Sequence, residues 1–238
     1  MSYTAQTANT PSAVLVSDFD GTMTANDFYK LAAERLLPPD ALTPWAEYRA
    51  GRSTHFEALR DIFARLRAPE AELLALVNDM APDPLLAERV DSLDVAGWAV
   101  IVASAGCAWY IERILLGLRL SSRVEVHANP GEYDPRTGLR MSPPPADSPF
   151  FCRETGVDKA AIVRFHLARG AAVAFAGDGF ADEPAALAAP ARLRFARADL
   201  AQALTTRGED FRPFARWADV ADALLAEPQP TSQQGGAK

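Results

Sequence analysis

Five short apolar runs, several rich in β-branched residues, punctuate this chain: 13–16, 98–103, 123–126, 171–176 and 192–196. Helical patterns lie between most of them. Runs of this length bounded by turn residues read as buried strands, and strands alternating with helices call for a largely parallel sheet covered on both faces. The expected fold class is α/β. Ile111, Ile114, Leu115 and Leu118 recur at i, i+3, i+4 and i+7, and the helix after Asp158 stops at Gly170, so both segments read as crossover helices.

One spacing breaks the pattern. A strand–helix–strand unit needs about 30 residues, yet Asp18 and Ser104, at the ends of the first two runs, lie 86 positions apart. The surplus is helical. Leu59, Ile62, Phe63 and Leu66 form one apolar stripe and Leu73, Leu76, Val77 and Met80 another, with breaks at Pro38-Pro39, Pro69 and Pro82 to Pro84. Residues 28–90 are therefore expected to form a small helical cap inserted after the first strand, with the core at 13–27 and 91–226. Residues 1–12 and 227–238 read as flexible tails.

Charge and cysteine content remove whole classes of function. With 24 basic against 31 acidic residues the formal net charge is -7, so no footprint for nucleic acid or an anionic membrane is present. Any anionic ligand must be met locally. The two cysteines, Cys107 and Cys152, cannot build a disulfide framework or a cysteine-based zinc site, which points to a reducing compartment. Met1 to Ser12 carries neither a basic nor an apolar signal region, and no apolar run approaches the ~18 residues of a membrane span. A cytoplasmic monomer or homodimer is expected.

The chemistry starts at Asp18-Phe19-Asp20-Gly21-Thr22. A buried strand delivers two carboxylates at i and i+2, which share a side on extended backbone, to the strand end where parallel sheets form their ligand crevice. Two such charges are relieved by a shared proton or by a hard divalent cation such as Mg²⁺. Ser104 ends the second run, and its hydroxyl with the amides of Ala105 and Gly106 suits a phosphate cradle at a helix start. Lys159 falls in the first turn of its helix, where a cation is disfavoured by ~0.3–1 kcal/mol, so its placement invites a functional reason. Asp178 ends the fourth run beside Asp18. Asp182, four residues on, reads either as a site residue or as an acid satisfied by its helix dipole. In the cap, Arg49, Arg52 and His55 lie in a polar stretch placed to read a substrate, or to form an ordinary solvated turn.

Taken in order, D-x-D-G-T, the strand-terminal Ser104, the helix-starting Lys159 and G-D-x-x-x-D resemble the four motifs of the haloacid dehalogenase superfamily over residues 13–226. The resemblance implies a Rossmann-like core with its cap after the first strand and Mg²⁺-dependent chemistry. It assigns Asp18 as nucleophile and Asp20 as general acid/base. Phosphoryl ligands would be Ser104 and Lys159 with Gly21, Thr22, Ala105 and Gly106. The metal would be held by Asp18, Asp178 and the Asp20 carbonyl, with Asp182 in support. An acid at position 20 goes with phosphate-ester chemistry in this superfamily. The stretch from His127 to Leu139, the Pro-rich loop after it, Cys152, Asn26-Asp27 and Phe195-Ala196-Arg197 look like the group holding the methionine-salvage hydroxyketo-methylthiopentenyl phosphate phosphatase and the phosphoethanolamine/phosphocholine phosphatases. Asp27 joins the candidate substrate contacts on that basis. Phosphoserine phosphatases usually read G-D-G-x-N-D, where this chain has Ala181. The expected activity is hydrolysis of a small phosphorylated metabolite, first the methionine-salvage enolphosphate, then phosphoserine or phosphoethanolamine-like esters. A phosphomutase or a non-catalytic metabolite-binding protein stands behind these.

Overall fold

A computed structural model describes residues 11–227. All but three of the residues assigned to the two tails lie outside the described residues. The first strand, β1 (Ala13–Ser17), is buried throughout and sits in the middle of the sheet. Five helices separate it from β2 (Trp98–Cys107): α1 (Phe28–Arg35), α2 (Thr43–Arg49), α3 (His55–Phe63), α4 (Glu70–Asp79) and α5 (Leu86–Val95). Next come α6 (Ala108–Gly117) and β3 (Val124–Asn129), then two small antiparallel pairs, β4 (Gly131–Asp134) with β5 (Gly138–Met141) and β6 (Phe151–Cys152) with β7 (Gly156–Val157). The chain ends through α7 (Lys159–Ala168), β8 (Ala172–Gly177), α8 (Glu183–Ala188), β9 (Arg194–Ala196), α9 (Ala198–Arg207), β10 (Arg212–Pro213) and α10 (Trp217–Leu225).

Six strands form one parallel sheet in the order β10-β9-β8-β1-β2-β3. The side-chain period of two sorts β1 between its faces. Ala13 and Leu15 join the cluster made by α5, α6, α10 and the inserted helices, while Val14 and Val16 face α7, α8 and α9. The chain leaves β1 towards β2 and β3 and later returns to its other side as β8. That reversal opens a crevice at the carboxyl ends of β1 and β8. Among the described residues no helix is long and apolar enough to cross a membrane.

Helix α5 straddles residue 90, where the sequence reading divides cap from core. It packs against α10 and β2 as part of the sheet's covering layer. The hairpin β4–β5 lies in a stretch with no apolar run of its own. Four-residue strands with one face on α3 and one in solvent leave too little hydrophobic pattern to read.

Candidate active site

Asp18 follows the last residue of β1 and is 7% exposed. Its amide donates to the Ala176 carbonyl at 2.9 Å, and Ser17 Oγ, itself held by Trp217 Nε1, donates to the Asp18 carbonyl at 2.7 Å. The backbone is thereby pinned. Beyond it the chain folds into a turn in which the amides of Thr22, Met23 and Thr24 all converge on the Phe19 carbonyl. Gly21 has φ +72° there, and a Cβ on it would lie 2.5 Å from Asp178 Oδ2. Only glycine serves. Arg197 clamps the same turn by donating to the Gly21 and Thr24 carbonyls. Thr22 donates its hydroxyl to Asp178 Oδ1 at 2.7 Å. Thr22 thus supports Asp178, Gly21 leaves room for it, and neither lines the pocket that the other phosphate candidates share.

The misplaced cation has its explanation. Lys159 is 5% exposed and its Nζ lies 2.6 Å from both Asp18 Oδ1 and Asp182 Oδ1. Burial works against its charge, but the two carboxylates outweigh that and hold its pKa above the usual lysine value. Asp182 is 1% exposed, and its Oδ2 accepts from the amides of Asp178 and Gly179. It ties Lys159 to the loop after β8. Burial, then the neighbouring Asp182 charge, push Asp178 up to about 6 and Asp18 well above the ordinary carboxylate range, although Lys159 pulls Asp18 back.

Three carboxylates around one ammonium leave a deficit of positive charge. One oxygen from each of Asp18, Asp178 and Asp182 falls within 4.8 Å of the others. Both Asp182 oxygens are already engaged, whereas Asp18 Oδ2 and Asp178 Oδ2 have no hydrogen-bond partner among the described residues. The open all-oxygen donors suit a hard cation such as Mg²⁺. Asp20 could contribute only its carbonyl, the atom expected, because its carboxylate is committed elsewhere.

That commitment is specific. Asp20 Oδ1 accepts from the Phe28 amide at 3.0 Å and Oδ2 from the Tyr110 hydroxyl at 2.8 Å. Burial, then the Asp27 charge, push Asp20 up to about 7. Asp27, not the adjacent Asp18, supplies the second push. Tyr110 is buried in α6 and stacks on Phe28 with ring centroids 4.4 Å apart. The aliphatic stripe of α6 carries no sign of it. The available signal was that a buried tyrosine needs a partner for its hydroxyl.

Ser104 lies within β2, whose register with β3 shifts between Ala103 and Cys107. Helix α6 begins only at Ala108, so the amides of residues 105 and 106 belong to an irregular strand end and not to a helix start. The Gly106 amide is spent on Ser104 Oγ at 2.9 Å. Bulges of this kind re-aim side chains beside sites.

Asp18, Asp20, Ser104, Ala105, Gly106, Lys159, Asp178 and Asp182 line one pocket of about 160 Å³. Asp27, just before the insertion, and His55 within it also reach it. Arg49 and Arg52 do not: both are exposed, and Arg52 is paired with Glu47 on its own helix end, so neither is positioned to read a ligand. Their place is taken by Tyr29, Trp45 and Tyr48. An aromatic-rich stretch at 28–48 was the sequence signal for them. Among the described residues no second group of histidine, cysteine or acidic side chains gathers at metal-binding range, the loop at 130–156 included.

Comparison with curated proteins finds no match. Among solved structures, a haloacid dehalogenase family hydrolase from Salmonella enterica serovar Typhi superposes with TM-score 0.68 at 16% identity, covering 91% of this chain and 72% of that one. A phosphoserine phosphatase from T. onnurineus gives 0.63 at 17% identity, covering 94% and 100%. A phospho-aspartyl intermediate analogue of phosphoserine phosphatase gives 0.62 at 18%, covering 87% and 96%. These likenesses establish a shared fold. The family profile described as haloacid dehalogenase-like hydrolase matches residues 15–187, a span running from the central strand through the inserted helices to the loop of Asp178 and Asp182, and this chain belongs to that family.

Proposed function

We propose that this hydrolase is a Mg²⁺-dependent phosphomonoesterase that removes phosphate from a small metabolite by way of an aspartyl phosphate on Asp18. The observation that carries the reading is the grip of one buried lysine on Asp18 and Asp182, 2.6 Å from each, in a pocket that also holds an acid poised near neutrality. Lys159 orients Asp18 so that one carboxylate oxygen can attack phosphorus. As that bond forms, the bond from phosphorus to the leaving oxygen breaks and Asp20 delivers its proton to the alcohol. Water then attacks phosphorus, Asp20 takes a proton from it, and the bond to Asp18 breaks to release inorganic phosphate. Ser104 and Lys159 meet the phosphoryl oxygens. Asp18, Asp178 and the Asp20 carbonyl would hold Mg²⁺, which when bound offsets negative charge on the phosphoryl group.

The methionine-salvage enolphosphate is the first substrate candidate, supported by the resemblance of residues 127–152. Phosphoserine or phosphoethanolamine-like esters are the alternative, the first of them suggested by the fold relatives. The two free cysteines are in keeping with a cytoplasmic setting. The test is release of phosphate from a panel of phosphorylated metabolites with and without Mg²⁺, together with borohydride trapping of the acyl phosphate. No metal-dependent release from any ester sinks the reading, and release without a trapped Asp18 adduct sinks the covalent route.

A further inference from the structure

Past the carboxylates, the pocket continues between the inserted helices and its far wall is made of rings. Tyr29 stacks on Trp45 with centroids 4.8 Å apart, Trp45 tilts against Tyr48 at 5.2 Å, and His55 meets both edge-on at 5.2 and 5.4 Å. His55 Nδ1 is buried without a hydrogen-bond partner among the described residues. A buried polar atom on a pocket wall with no protein partner is open to a ligand. Burial, then the charge of Lys159, push this imidazole down to about 4, so it faces the pocket neutral.

The charges on that wall are as informative as the rings. Among the described residues, besides Lys159, which is held by two aspartates, the one cation lining the pocket is Lys30, and its Nζ lies 2.5 Å from Asp27. Asp199 lines the same end. Arg49 and Arg52 are turned away to the surface. Among the described residues an anionic group on the leaving alcohol would therefore find no cation that is not already paired, and would face Asp199 besides the Lys30–Asp27 pair, an arrangement that discriminates by repulsion and lost solvation. Ring faces, by contrast, accept an apolar or cationic body.

Resting on the phosphatase reading above, we propose that Tyr29, Trp45, Tyr48 and His55 form the leaving-group subsite, and that it admits uncharged or cationic alcohols and rejects those bearing a carboxylate. Phosphoserine is then a poor substrate, in contrast to what the names of the fold relatives suggest. Phosphoserine and phosphoethanolamine differ only by that carboxylate, and phenyl phosphate and 4-carboxyphenyl phosphate repeat the comparison on a ring that fits the wall.

The experiment measures kcat/KM for both pairs with saturating Mg²⁺. The carboxylated member of the aryl pair should be worse by about tenfold or more, although its carboxylate leaves the phenol a slightly better leaving group; the natural pair should rank the same way. Tyr48→Lys puts an ammonium on the wall and should bring the ratios back towards one. Should that variant fold poorly by circular dichroism, Tyr29→Lys asks the same question, and the wild-type ratio needs no variant. Equal or reversed ratios in the wild type overturn the proposal, and ratios unmoved by an ammonium at position 48 or 29 overturn its assignment to this wall. No metal-dependent hydrolysis of either pair or of any other ester is a different failure, that of the phosphatase reading itself.

Discussion

Asp18 carries a cost that only function explains. A carboxylate 7% exposed, beside two further acids, has a single ammonium to offset its charge. Asp18→Asn should lower kcat by about 10⁴-fold or more, since it removes the attacking oxygen's charge with almost no change in shape. Its thermal midpoint in chelator should equal or exceed that of the wild type, because an acid with a raised pKa is one the fold does not favour in its charged form. Calorimetry and single-turnover kinetics check both halves, and a midpoint several degrees lower would show that Asp18 is needed for folding. Asp20 makes a pH prediction. Burial first and Asp27 second hold it protonated up to about 7, so in the proposed reaction it would serve as an acid below that value and lose its proton above it. On a substrate with a poor leaving group, kcat/KM should fall about tenfold per pH unit above about 7. Asp20→Asn should abolish that limb, and its persistence in the variant would assign the acid to another residue. The same shift has a sign in stability. Ionisation is harder in the fold than in the unfolded chain, so the contribution of Asp20 is fully present below about 4 and is lost as pH rises towards 7.

At the scale of elements, the inserted helices are positioned by short devices. Thr54 and Glu57 form a reciprocal cap at the start of α3, with bonds of 3.1 and 2.9 Å, and this fixes the helix that carries His55, Leu59 and Phe63 to the pocket. The β4–β5 hairpin straps the other end of α3. Tyr133 donates its hydroxyl to the Ala68 carbonyl, and Gly138, with φ +84°, lies against the Ala64 carbonyl where a Cβ has no room. Gly138→Ala should therefore cost about 1–3 kcal/mol, combining an unfavourable backbone region with a collision against backbone that cannot yield. Urea titration measures it. A loss under about 0.5 kcal/mol, the range of ordinary surface changes, would mean the strap does not hold α3. Neither device announces itself as an apolar run. The cap box is a local S/T-x-x-E pattern that a reader can find at Thr54 to Glu57, but the strap is a contact between residues 64 and 138, and no local pattern encodes such a pair.

For the whole molecule, the insertion and the sheet share one apolar cluster. Phe28, Ile62, Phe63 and Leu73 of the inserted helices belong with Leu15, Val102 and Trp217 of the core. Cap and core should consequently unfold together. Trp45 reports on the insertion and Trp217 on the core, so single-tryptophan variants retaining one or the other should give coincident urea transitions; separate midpoints would make the insertion an independent unit. Mg²⁺ at 100 times its dissociation constant should stabilise the fold by about 2.7 kcal/mol through preferential binding to the folded carboxylates, and chelator should reverse this. The class of the fold, the central strand and the helical surplus after it were legible in the sequence alone, as were Asp18, Asp20, Ser104, Lys159 and Asp178, which the structure brings to one pocket. Those features rest on local periodicity and on short motifs attached to strand ends, which a one-dimensional pattern retains. The tertiary structure decided what those patterns could not: that Gly21 and Thr22 meet Asp178, that Asp27 raises Asp20, that Tyr110 holds it, and that Tyr29, Trp45 and Tyr48, not Arg49 or Arg52, line the pocket. Each of these depends on which side of a short helix or turn meets a distant partner, and that direction is set by packing between segments far apart in the chain.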